Sequence, residues 1–181
     1  MKITVYETGG KIRDEFMGLK NKDIDYAVEA ESYDAMREYI ISQGGTIFLE
    51  SPKYVTIRAR IGRETVDYVL CRKDGAYTDS RHPDSVTVGT IMDDLARRDF
   101  TMNAIAKNIE TGEIIDPFNG ERDIRRGMIC CVGEASERMR EDSLRLLRAI
   151  RFAITKNMIL EHTVSNMFYS KLWMDRLSTI S

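Results

Sequence analysis

The sequence predicts an α+β protein: a mixed β-sheet flanked by helices, followed by an all-helical segment. Three observations carry this reading. Short runs that alternate apolar and polar residues, or that are rich in β-branched residues, recur up to about residue 132. Turn signals at Gly62-Arg63 and Thr111-Gly112 join such runs as hairpins. From Ser136 onward, helical periodicity replaces the strands.

Taken in order, residues 3–8 alternate as a strand and residues 11–19 follow as an amphipathic helix. Residues 22–29 form the second strand, and residues 33–43 a helix that stops at Gly44-Gly45, with another strand after it. Residues 54–61 and 64–71 flank Gly62-Arg63 as a hairpin. Residues 72–83 are polar and read as loop, and residues 91–98 as a short helix. Residues 104–109 and 113–116 form a second hairpin, after which Pro117 and Gly120 mark a bend. The apolar run 128–132 reads as a buried strand. A helix from Ser136 offers Met139, Leu146, Leu147, Ile150 and Ala153 as its apolar face, and a second helix is expected over 161–172. The expected domain division is 1–132 and 133–181.

A chain of 181 residues is long enough to bury a core. Its 43% hydrophobic and 31% charged residues are ordinary for a globular protein. The formal net charge of -2 provides no global pull toward nucleic acid, so any RNA contact must come from a local patch. Cys71, Cys130 and Cys131 lack metal-ligand spacing, and the simple expectation is a reducing cytoplasm. No stretch approaches membrane-spanning length and the start lacks the apolar run of a signal peptide, so no membrane partner is expected.

The most informative local feature is the pair Asp23 and Asp25 in the second strand. Carboxylates at i and i+2 of an extended segment point to one face, where they repel each other unless a cation lies between them. Hard oxygen donors of this kind suit magnesium. Upstream, Gly9-Gly10 opens a helix whose backbone N–H groups face phosphate chemistry. Metal and anion elements together imply nucleotidyl transfer. On the later helix, Glu141, Asp142, Arg145 and Arg148 fall within one broad polar stripe: a solvated ion-paired face on an arbitrary helix, a base-reading surface if it borders the metal domain.

Five stretches carry a family resemblance: Gly9-Gly10-Lys11-Ile12-Arg13-Asp14 with Asp23-Ile24-Asp25; Arg72 through Asp79 with Arg81-His82-Pro83; Asp94 through Ala104; Asp116-Pro117-Phe118-Asn119-Gly120; and Glu141 through Phe152. In them the chain resembles the class II (bacterial-type) CCA-adding tRNA nucleotidyltransferases and their bacterial poly(A) polymerase relatives, over head and neck only. The resemblance implies a polymerase-beta-like nucleotidyltransferase palm followed by a helical neck. It implies that Asp23 and Asp25 hold Mg2+ while an RNA 3′-hydroxyl attacks the α-phosphate of CTP or ATP and pyrophosphate leaves. Asp67 falls where the superfamily places a third acidic group; a strand-end surface carboxylate is its plain alternative.

By the same resemblance, Gly9, Gly10, Arg13 and Lys11 face the triphosphate, and Arg98, Asp99 and Asn103 the ribose. Asp142 and Arg145 read the base, Glu141 orients Arg145, and Arg148 and Arg151 face phosphate or RNA. A carboxylate accepts from the amine that cytosine and adenine share, whereas uracil and guanine present an oxygen there. The segment from Asp74 to Asp94 has the length of members that add A as well as C. The implied activity is C and A addition to tRNA 3′ ends. The alternatives are a poly(A) polymerase-like or partial CC- or A-adding enzyme, or a catalytically silent nucleotide- or RNA-binding remnant. Nothing in the chain corresponds to the family's body and tail: either the sequence is a fragment of a longer protein, or a homo-oligomer or a partner chain supplies the missing RNA grip. Glu7-Thr8 departs from the apolar pair usual before the double glycine.

Overall fold

The structure is a computed structural model and describes residues 3–21, 23–78, 82–171 and 173. The positions of Lys22, Asp79, Arg81, Leu172 and residues 177–181 in the sequence reading lie outside the described residues. The chain runs β1 (Thr4–Thr8), α1 (Gly10–Phe16), β2 (Ile24–Glu29), α2 (Tyr33–Ser42), β3 (Thr46–Ser51), β4 (Thr56–Ile61) and β5 (Glu64–Leu70). It continues with β6 (Arg72–Asp74), β7 (Val86–Val88), α3 (Ile91–Ala96), β8 (Ala106–Asn108), β9 (Ile114–Ile115), α4 (Gly120–Arg125) and β10 (Met128–Ile129). The C-terminal part holds α5 (Ala135–Glu141), α6 (Leu144–Lys156), β11 (Ile159–Leu160) and α7 (His162–Met167).

One mixed sheet, ordered β3-β4-β5-β2-β1-β8-β9, is the platform. Only β2 and β5 pair in parallel within it, and their register sets Asp25 opposite Asp67. Alternation along β2 divides the sheet faces. Ile24 and Val28 join Met36 and Ile40 of α2 in one core, whereas Ala27 joins Leu95 of α3, Ala104 and Ala106 in another. Asp25 shares the parity of Ala27 and so belongs to the α3 face. A third core packs Ile12, Phe100, Met102 and Ile105 against Met139, Leu146, Ala149 and Phe152, so α5 and α6 are seated on α1 and the loop after α3. Among the described residues, no helix is long and apolar enough to cross a membrane.

Several elements differ from the sequence reading, each for a local reason. The segment read as loop over 72–83 begins with β6, which pairs with β7 through the β-branched run Val86-Thr87-Val88. Helix α4 replaces a simple bend, because both Asp116 oxygens accept from the N–H groups of Gly120 and Glu121. A side chain at Gly120 would place Cβ 2.1 Å from the Thr101 carbonyl oxygen. The helix expected from Ser136 is two helices, broken at the extended Asp142 (φ -148°, ψ 106°), whose carboxylate accepts from Leu144 N–H at 2.9 Å. That break turns α6 away from the expected face. Leu146, Ala149 and Phe152 are buried, while Leu147 and Ile150 are exposed. Helix α3 starts under a Thr90–Asp93 capping box and ends at Ala96, which leaves Arg97 and Arg98 beyond its end.

Candidate active site

Two cavities meet at Asp25. The larger, about 870 Å³, is lined by Asp23, Asp25 and Asp67 together with Lys11, Asn21, Arg58 and Arg63. The second, about 400 Å³, is lined by Gly9, Gly10, Arg13, Asp25, Arg98, Asp99 and Asn103 from the sheet side and by Asp142, Arg145 and Arg148 from the α6 side. Gly9 lines the second cavity beside the shared Asp25. At φ +69° it adopts a backbone that L side chains rarely take, and its Cβ direction looks at Asp25 Oδ2 and Arg98 Nη1, 3.6 and 3.5 Å away.

Asp25 is half-buried, and burial followed by the Asp67 charge pushes its carboxyl up, against the pull of Arg98. Asp23 precedes β2 and is exposed. Asp67 is held by Arg58 in a bidentate pair, at 2.6 and 2.7 Å. Lys11 is paired to Glu7, so this departure from the family pattern occupies the lysine's charge. Among the described residues, no three His, Cys, Asp or Glu side chains are grouped to hold a metal ion. The Asp23–Asp25 pair nevertheless fits a hard divalent cation. It would supply oxygen donors at one cavity wall, where like charge raises the cost of leaving the pair bare.

The second cavity is walled by interlocked charges. Asp94 is fully buried between Arg97 and Arg98; burial alone would raise its carboxyl, but the two guanidiniums hold it below the usual range. Arg98 also donates to the Asn103 carbonyl at 2.8 Å and to Thr8 Oγ1 at 3.0 Å. Asp99 accepts from Phe100 N–H and Asn103 Nδ2 on one oxygen and from Arg148 Nε, at 2.7 Å, on the other. Arg13 donates to Asp14 and to Asn103 Oδ1, each at 2.8 Å.

Arg145 is nearly buried. Nη1 donates to Glu141 Oε2 at 2.7 Å and to the Arg138 carbonyl at 3.0 Å, and Nη2 donates to the Arg97 carbonyl at 3.1 Å. These are three of the five N–H donors a guanidinium carries, so the group is oriented with donors to spare. Asp142 likewise commits one oxygen to Leu144 N–H.

Ten of the sequence-predicted residues therefore border the second cavity, and Asp23, Asp25 and Asp67 border the first. Two are not brought in. Glu141 lies behind Arg145, facing Arg138 as well, and Arg151 is exposed on α6 outside both linings. Sequence reasoning missed Arg97 and Phe152. Phe152 lies between the guanidiniums of Arg13 and Arg148, 5.0 and 5.6 Å from its ring centre. Its signal was the i, i+4 spacing from Arg148.

The poly A polymerase head domain matches residues 5–130. The CCA-adding enzyme of Geobacillus kaustophilus is 42% identical over 155 residues, a match taking in 81% of this chain and 35% of the relative. That of Oceanobacillus iheyensis is 36% identical over 175 residues, 96% of this chain and 42% of the relative. The crystal structure of the Bacillus stearothermophilus CCA-adding enzyme in complex with CTP superposes with a TM-score of 0.77 at 34% identity, over 90% of this chain and 38% of that one. A tRNA nucleotidyltransferase complexed with a primer tRNA and an incoming ATP analog gives 0.74 at 28% identity, over 97% and 47%. The chain thus spans less than half the length of these relatives. It belongs to the poly A polymerase head domain family.

Proposed function

We propose that this chain is the catalytic part of a template-independent RNA nucleotidyltransferase, one that adds C and A from CTP and ATP to tRNA 3′ ends and releases pyrophosphate. The observation that supports this most directly is the shared residue: Asp25 borders both the acidic cavity and the cavity of Arg145 and Asp142. One nucleoside triphosphate laid across that seam has its phosphates near the carboxylates and its base near α6. Solved relatives in complex with CTP, and with a primer tRNA and an incoming ATP analog, support nucleotide and tRNA as the ligand classes. In this reading residues 1–132 form the head and 133–181 the neck, the setting is cytoplasmic, and RNA grip comes from further chain of a longer protein, a second copy or a partner.

Mg2+ held by Asp23 and Asp25 supplies charge neutralisation at the phosphates and lowers the cost of forming the attacking alkoxide. The chain's own residues do the rest. Gly9 and Gly10 let the triphosphate approach the backbone, and Arg98, fixed by Asp94, Thr8 and the Asn103 carbonyl, provides stationary positive charge beside it. Asp67 takes the proton of the RNA 3′-hydroxyl when Arg58 releases it. Asp99 and Asn103 border the ribose. Asp142 accepts from the exocyclic amine of C or A while Arg145, held by Glu141, donates to the neighbouring ring acceptor. Placing the oxygen of U or G against Asp142 opposes two acceptors in a desolvated site. Arg148 and Arg151 lie along the RNA phosphates.

The test is extension of tRNA lacking its terminal CCA with each labelled nucleotide in the presence of Mg2+. Incorporation of C and then A, with U and G refused, is the expected result. ATP alone giving long heterogeneous tails selects the poly(A) polymerase reading that the family's description also covers. No extension, even with added body domain of a relative, contradicts both.

A further inference from the structure

We propose that Asn21 is a positioning residue that fixes the Asp23 carboxylate for metal and links it, through Asp14, to the helix that reads the base. This rests on the metal role of Asp23 given above.

Asp23 lies just ahead of β2, outside the ladder that fixes Asp25, and its side chain is exposed. Pairing with β5 therefore does not hold it. What does is Asn21, whose Oδ1 accepts from Asp23 N–H at 2.9 Å in the two-residue loop that asparagine side chains form with their own backbone. The other end of the amide, Nδ2, donates to Asp14 Oδ2 at 2.8 Å. Chemistry alone sets which way this amide points. The Asp14 carboxylate accepts and the backbone N–H of Asp23 donates, so only one orientation satisfies both.

Asp14 is itself immobilised. It is 4% exposed, and its Oδ1 accepts from Lys156 Nζ at 2.9 Å and from Arg13 Nε at 2.8 Å. Lys156 ends α6, the helix that carries Arg145 and Arg148. A continuous path, Lys156–Asp14–Asn21, thus runs from α6 to the backbone N–H of Asp23, the residue that carries the exposed carboxylate. Gly10 leaves the room: a Cβ there would come within 3.2 Å of Asn21 Nδ2. Lys156 borders neither cavity, and its hydrogen bond toward Asn21 runs through Asp14.

Manganese(II), followed by its paramagnetic resonance signal in the absence of nucleotide, is the probe. Asn21→Ala is expected to weaken Mn2+ binding about tenfold, the lower end of the cost of losing a contact that orients a ligand. Its melting temperature should match wild type. Asn21→Ser keeps an oxygen able to accept from the N–H two residues on, and should recover binding to within about threefold of wild type. Lys156→Met should weaken it about two- to threefold. Should Asn21→Ala melt early, the other two variants decide. Mn2+ binding by Asn21→Ala equal to wild type, or no recovery in Asn21→Ser, overturns the proposal while leaving nucleotidyl transfer to its own assay. A wild-type protein that binds no Mn2+ overturns both.

Discussion

The two cavities that meet at Asp25 are built on opposite electrostatic plans. In the larger, Asp23 and Asp25 face each other's charge, and the Asp25 carboxyl is pushed up by burial and by Asp67. In the smaller, almost every charge already has its partner: Asp94 with Arg97 and Arg98, Asp99 with Arg148, Glu141 with Arg145. The first wall carries carboxylates in excess of their partners, which is what the proposed cation would neutralise. The second is pre-organised, so the proposed base would meet fixed donors and acceptors with little left to reorganise.

The contrast breaks most visibly at its acidic side. Asp25→Ala should reduce nucleotide transfer at least about a thousandfold, roughly 4 kcal/mol of barrier, without lowering the melting temperature, because it relieves repulsion. Single-turnover extension with a thermal melt checks both halves. At the other wall the damage should be structural. Asp94→Asn leaves two guanidiniums facing an uncharged amide in a buried place and should cost about 3 kcal/mol of stability, read from denaturant midpoints. Arg145→Ala removes the oriented donor and should cut the preference for CTP over UTP about a hundredfold, measured as a ratio of kcat/KM values.

The smallest effect concerns the seat of α6 on α1. Burial alone would raise the Asp14 carboxyl, but hydrogen bonds from Lys156 and Arg13 outweigh it and hold the group below the usual 3.8. A carboxyl depressed in the folded state stabilises fully above its unfolded value, and that contribution is lost as pH falls through the lower folded value. Stability should therefore hold from neutral pH to about pH 4 and decline below it. Lys156→Met should flatten this acid-side slope and cost about 1 kcal/mol at neutral pH, checked by denaturation at several pH values.

The platform was legible in the sequence because its strands alternate. Residues 24–29 and 64–70 need one face for α2 and one for α3, and period-two patterning records that directly. Asp25 keeps its expected place in the strand, in the register that sets it opposite Asp67, whereas Asp23 falls just ahead of β2 and outside that ladder. What escaped depended on side chains acting on distant backbone. Helix α4 exists through Asp116 capping, and the apolar period runs unbroken through the Asp142 kink, so Leu147 and Ile150 looked buried when Ala149 and Phe152 are. The long-range ion pairs of Arg97, Arg148 and Lys156 leave no local trace. The motif resemblance supplied residues that spacing alone could not, yet it missed the pairing of Asp67 with Arg58 and of Lys11 with Glu7.

The claim on which the account depends is that one nucleotide occupies both cavities at once, and its most direct test is the affinity for CTP with and without Mg2+ in wild type and in Asp25→Ala. The account predicts that Mg2+ tightens CTP about tenfold or more in wild type and leaves the Asp25→Ala affinity unchanged. Equal affinity with and without Mg2+ in wild type, or the same gain in both proteins, would contradict it.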